Sequence, residues 1–152
     1  MKKIILILPL IIILAGCTND VEENKIAYLE YKNKLEEIEN FTEEKADFNT
    51  FFNIEREDEE IVNYSMTIDN PTTDMYDVKA LLIHDYNQEE AYPSSGIMDE
   101  PIDLLKGEDG KIQLKGTIQT IDDINDVHFK LFVEYKDSKG LENKVYYKVS
   151  RG

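Results

Sequence analysis

Read for the alternation of apolar and polar positions, the chain divides into three regimes. From Ile4 to Leu14 almost every residue is apolar, with Pro9 the one interruption. From about Val21 to Glu44 the apolar residues fall at helical spacing: Tyr28, Tyr31, Leu35 and Ile38 are separated by three, four and three positions and share one face. Ile26, Leu29 and Phe41 widen or extend that stripe, and the segment is rich in the helix formers Glu, Lys and Leu. Fewer than two heptads are present, so the pattern predicts a helix that docks on its own domain or spaces it, and not a coiled coil.

After about Asp47 the period changes to two. Phe48 to Ile54 reads as a strand. In Ile61 to Asp69 the residues Val62, Tyr64, Met66 and Ile68 share one face. Asn70-Pro71 makes a turn, and Tyr76 to Tyr86 follows with Ala80 to Ile83 apolar on both faces, the mark of a central strand. Asn87 to Asp103 is the least regular stretch, with Pro93, Gly96 and Pro101, and predicts a loop with at most one edge strand. Lys111 to Ile121 alternates through Ile112, Leu114, Gly116 and Ile118. Val127 to Tyr135 does so through Val127, Phe129, Leu131, Val133 and Tyr135. A hairpin turn at "KDSKG" leads to Leu141 to Val149. Strands at near-regular spacing, short turns and no intervening helices predict a mainly β fold: an antiparallel β-sandwich of six to seven strands preceded by one amphipathic α-helix.

The leading segment changes the picture of where the protein works. Lys2 and Lys3, then the apolar run, then Ala15 and Gly16 have the layout of an export signal. The apolar run is 11 residues long, against the roughly 20 needed to span a bilayer. Leu14-Ala15-Gly16-Cys17 matches the lipobox at every position, and the segment resembles the signal peptides of bacterial lipoproteins. That resemblance implies a diacylglycerol on the Cys17 sulfur and cleavage before Cys17, which becomes the mature N-terminus. Two acyl chains hold a bilayer stably where one does so marginally. It also implies a location on the extracytoplasmic face of the cell membrane, lipid-anchored. The expected organisation is a signal peptide at 1–16, a lipidated tether and amphipathic helix at 17–46, and the sandwich at 47–152. Over roughly 48–150 the "TIDNPT" turn, the "LLKGE" turn and the closing "LFVEYKDSKG" resemble immunoglobulin-like or fibronectin-like domains of small exported lipoproteins. The Cys–Trp–Cys pattern of antibody domains is absent, since the chain has one Cys and no Trp.

Charge narrows the partners. Against 32 acidic residues stand 17 basic ones, a net charge of −15, and loss of residues 1–16 with their two lysines takes this to −17. Such a surface repels nucleic acid and anionic lipid headgroups, so a basic protein, a cation or a neutral ligand fits better. Apart from the membrane reached through its lipid, the expected partner is an envelope protein or exported ligand. Candidate contacts are Tyr92, Ile97 and Met98 of the irregular stretch and Phe132, whose alternative fate is cover by the helix.

Chemistry is sparse. No G-x-S-x-G, P-loop, HExxH or Cys-x-x-Cys pattern occurs. His84 and His128 are the two groups suited to proton transfer near neutral pH, and with an acid they are zinc candidates. Asp122, Asp123, Asn125 and Asp126, then Glu108 and Asp109, then Asp99 and Glu100 are oxygen donors that calcium would accept, without the spacing of an EF-hand. The expectation is therefore a membrane-anchored, non-catalytic binding or accessory module of the cell envelope, with no cofactor beyond the Cys17 lipid. The alternative is a calcium- or zinc-dependent binding protein or enzyme on the same scaffold.

Overall fold

The apolar positions of the strands sort into two layers, with a helix as a third. The computed structural model describes residues 19–86, 96–119 and 123–149. Cys17 with its leader, Tyr92 and Asp122 lie outside the described residues. The elements are α1 (Asn19–Glu37), β1 (Asn49–Arg56), β2 (Ile61–Asp69), β3 (Met75–His84), β4 (Gly96–Leu104), β5 (Lys111–Gln119), β6 (Phe129–Lys136) and β7 (Glu142–Val149). A short 3-10 turn occupies Ile124–Asp126. The strands form two antiparallel sheets, sheet A in the order β1-β2-β5 and sheet B in the order β4-β3-β6-β7.

Between the sheets lies the main core. Val62, Tyr64, Met66 and Ile68 of β2 and Ile112, Leu114 and Ile118 of β5 meet Phe129, Leu131, Val133 and Tyr135 of β6, all buried. These are the faces that the period-two pattern assigned. Gly116 is inward as well, opposite Tyr64, and a Cβ there would fall within the Tyr64 ring. Its missing side chain is what lets that ring lie flat against β5 and reach Phe129 and His84.

Strand β3 is central, paired to β4 on one side and β6 on the other, and Ala80 to Ile83 are buried on both faces because Ala80 and Leu82 enter the core between the sheets while Leu81 and Ile83 lie under α1. Its regularity breaks at Asp77, which adopts φ 51° at a bulge. An aspartate tolerates this left-handed backbone better than most residues. Its amide donates to Asp103 Oδ1 at 3.0 Å and its carboxylate pairs with Lys136 Nζ at 2.7 Å. The stretch expected to be mostly loop holds β4, an edge strand, so Pro101 costs the sheet no interior hydrogen bond.

Helix α1 ends at Glu37, seven residues short of the Glu44 predicted from composition. Two tertiary demands stop it. Lys130 of β6 inserts its ammonium beneath the last turn and donates to the carbonyls of Leu35, Glu36 and Ile38 at 3.2, 2.6 and 3.3 Å. These are the carbonyls a helix end leaves unpaired, and a cation there also suits the helix dipole. The chain then runs along β7, where the Thr42 amide donates to the Tyr146 carbonyl at 2.8 Å and Thr42 Oγ1 accepts from the Tyr146 amide at 3.1 Å.

The helix is docked against β3, β4 and β6 on the outer face of sheet B. Tyr28 and Leu35 bury themselves there with Leu81, Ile83 and Phe132, and Tyr31, Met98 and Tyr146 complete a second apolar cluster. Ile26 and Leu29, expected to widen the stripe, are exposed instead, because the docked face is only as wide as the groove between the outward side chains of β3 and β6.

Candidate binding face

Helix α1 covers the outer face of sheet B where β3 and β6 lie side by side. Phe132, expected as a possible exposed contact, is 1% exposed, with its ring centroid 5.0 Å from that of Tyr31 and 5.1 Å from that of Tyr146. Ile97 and Met98 are likewise not loop contacts: they sit in β4, where Ile97 packs on the main core and Met98 under the helix. At the edge of the same layer Glu134 is buried with its charge compensated. Lys144 Nζ lies 3.0 Å and Lys79 Nζ 3.3 Å from its oxygens, and the Tyr31 hydroxyl donates to both oxygens at 3.1 and 3.2 Å. Burial by itself raises the Glu134 pKa, but the hydrogen bonds and charges of Lys144 and Lys79 outweigh it, and the net shift is downward. The Tyr31 phenol is raised, first by burial and then by the Glu134 charge. A carboxylate so fully engaged is a clamp between helix and sheet. The sequence reading missed it, although the "KDSKG" hairpin sets Lys144 opposite Glu134 as a cross-strand pair.

Of the candidate metal ligands, the two histidines come near each other without converging on one point. His84 and His128 border one hollow of about 330 Å³ with Ile83, Asp85, Lys130 and Glu36. The His84 ring nevertheless packs on the core side against Tyr64 and Phe129, at centroid distances of 5.6 and 5.7 Å. His128 is exposed, as alternation predicted, and its Nδ1 lies 2.9 Å from Asp85 Oδ2. Partial burial raises the Asp85 carboxyl, the hydrogen bonds from the His128 amide and ring lower it further than that, and the net is downward. Asp123 is spent on the 3-10 turn, accepting from the Asn125 amide at 2.8 Å, while Glu108, Asp109, Asp99 and Glu100 point to solvent on other elements. Among the described residues, no group of three or more His, Cys, Asp or Glu side chains is placed to hold a metal ion.

What remains is the outer face of sheet A, which no described element covers. Because Ile68, Met66, Tyr64 and Val62 point inward, the alternate residues point out, and the register stacks them in rows: Asn49–Asp69–Lys111, Phe51–Thr67–Gln113, Asn53–Ser65–Lys115 and Glu55–Asn63–Thr117. Two carboxylates and two ammonium groups leave these four rows with no net charge, and Glu57 at their end adds one carboxylate, on a chain whose total is −15. The remaining side chains are amides and hydroxyls, with Phe51 alone among them aromatic and 68% exposed. Thr117 Oγ1 donates to Asn63 Oδ1 at 3.0 Å, and Asn63 Nδ2 donates to Glu57 Oε2 at 2.7 Å, which fixes the Asn63 amide. A shallow hollow of about 470 Å³ lies over Asn53, Glu55, Asn63, Ser65, Gln113, Lys115 and Thr117. Sequence reading named none of these residues as a site. Each is legible as the outward half of an alternating strand, but only the strand order β1-β2-β5 assembles them into one surface.

Comparison with protein-family models, with curated proteins and with solved structures gives no match for this chain. Among the described residues no helix is long and apolar enough to cross a membrane.

Proposed function

We propose that the chain is a bacterial lipoprotein, anchored on the extracytoplasmic face of the cell membrane through Cys17, whose sandwich is a non-catalytic binding module that presents the outer face of sheet A. One observation carries the binding assignment: α1 covers the centre of the outer face of sheet B, while on the outer face of sheet A four uncovered rows sum to zero charge on an acidic chain. The strand order supports an immunoglobulin-like reading. β1, β2 and β5 take the positions of strands A, B and E, and β3, β6 and β7 those of C, F and G, with β4 added beside the C strand. The place of that fourth strand departs from antibody constant domains, in which it joins the A-B-E sheet.

The anchor assignment rests on the lipobox. Cleavage before Cys17 would leave Thr18 alone between the lipidated residue and the start of α1 at Asn19. Because α1 is docked, the sandwich would then be held close to the bilayer and not on a long stalk. Cell fractionation with mass spectrometry of the native product tests this. The expected product begins at Cys17, carries a diacylglycerol and partitions with membranes, and Cys17→Ala is neither cut nor lipidated. A Cys17→Ala protein processed and retained like the parent contradicts the assignment.

A further inference from the structure

The outer face of sheet A carries enough chemical detail to name a ligand class. We infer that it binds a neutral glycan, with Phe51 as the stacking platform and the neighbouring amides as the hydroxyl readers. This rests on the proposal that the face is a binding surface, and deepens it.

Four ligand classes can be weighed against the side chains present. Nucleic acid and other polyanions are repelled by a chain of net charge −15, and Lys111 and Lys115 are balanced on the face itself by Asp69 and Glu55. A polycation would be drawn to the exposed acidic run Glu57–Glu60 at the end of the face and not to the four rows, whose charges sum to zero. Protein interfaces centre on a desolvated cluster rich in Trp, Tyr, Arg and Met, and the four rows supply a single Phe with amides and hydroxyls around it. A neutral polyhydroxylated chain matches what is left. Its hydroxyls need both donors and acceptors at short range, and a carboxamide offers two donors and an acceptor on one planar group. The side-chain amides of Asn53 and Gln113 make no hydrogen bond to another described residue, so they enter a complex without breaking one. Asn63, held by Glu57 and Thr117, is already oriented.

The aromatic completes the match. The apolar C–H face of a pyranose ring stacks on an aromatic ring, and the exposure of Phe51 leaves it available for that. Phe51 and Asn53 project from the same side of β1, roughly 7 Å apart along the strand, the scale of one sugar residue. A chain stacked on Phe51 would thus place its next residue over the hollow above Asn53, Ser65 and Asn63. The sheet is preorganised, so little ordering cost is added on binding.

The test uses the full chain, produced with its leader and purified in detergent, on an array spanning neutral and charged oligosaccharides. Parallel samples carry Phe51→Ala, Asn63→Ala or, as a control on the opposite layer, Leu29→Ala. The expected result is retention of at least one neutral glycan series, weakened at least tenfold by Phe51→Ala and by Asn63→Ala and unchanged by Leu29→Ala. Unchanged near-ultraviolet circular dichroism and melting temperature verify that the variants fold. No retained neutral glycan, or retention indifferent to Phe51→Ala, overturns the glycan assignment. A photocrosslinking residue at position 51, with cells irradiated intact, separates the two levels. A discrete protein adduct without glycan retention leaves the face a binding surface and refutes the glycan. Neither adduct nor retention refutes both.

Discussion

Two phenylalanines, each on the outward side of a strand, have opposite fates, and removing each in turn measures the asymmetry of the fold. Phe132 is 1% exposed beneath α1, and Phe51 is 68% exposed on sheet A. Burying a phenylalanine contributes about 1.5–3 kcal/mol. Its ring pairs with Tyr31 and Tyr146 add about 0.5–1.5 kcal/mol each. The cavity left among Leu35, Leu81 and Ile83 does not collapse fully, so Phe132→Ala is expected to cost about 3–5 kcal/mol. With a urea dependence of about 2 kcal/mol per molar, that lowers the unfolding midpoint by about 2 M. Phe51→Ala, which leaves no cavity, is expected to change stability by about 0.5 kcal/mol or less. Urea titration followed by far-ultraviolet circular dichroism and tyrosine fluorescence compares the two directly, since the chain has nine tyrosines and no tryptophan. Equal effects, or a Phe132→Ala effect under about 0.5 kcal/mol, would refute the docking of α1 as an integral layer.

Glu134→Gln removes the charge that holds Lys144, Lys79 and Tyr31. Because the folded-state pKa of Glu134 is lowered, its contribution is complete above the unfolded value of about 4.3 and is lost as pH falls through the folded one. Urea midpoints measured across pH should therefore separate parent from Glu134→Gln near neutrality and converge in acid; a constant difference at all pH values would count against the clamp. Gly116→Ala drives a methyl into the Tyr64 ring and is expected to cost about 1–3 kcal/mol. In a double-mutant cycle Tyr64→Ala should relieve part of that cost, and strict additivity would show that the two residues do not meet.

How far the chain could be read without coordinates follows from the range of the forces involved. Alternation in β2 is a local signal, and burial along that strand follows it residue by residue, whereas in β6 Phe132 and Glu134 of the outward set are buried as well. The doubly apolar centre of β3 correctly marked a strand with neighbours on both sides. The end of α1 was not legible, because Lys130 and Tyr146, which arrest it, lie about a hundred residues away in sequence. The Asp77 bulge escaped for a similar reason: its partners Asp103 and Lys136 come from β4 and β6. Phe132 was an even choice between solvent and helix until the groove it shares with Tyr31 was known. The neutral face depends on strand order, to which the periodicity of each strand alone is blind.

The most direct measurement is hydroxyl-radical footprinting of the folded full-length protein, read by mass spectrometry at Phe51 and Phe132 in the same sample. Cover by α1 on sheet B and an open sheet A predict rapid oxidation of Phe51 with Phe132 protected. Oxidation of Phe132 at a rate comparable to Phe51 would contradict it.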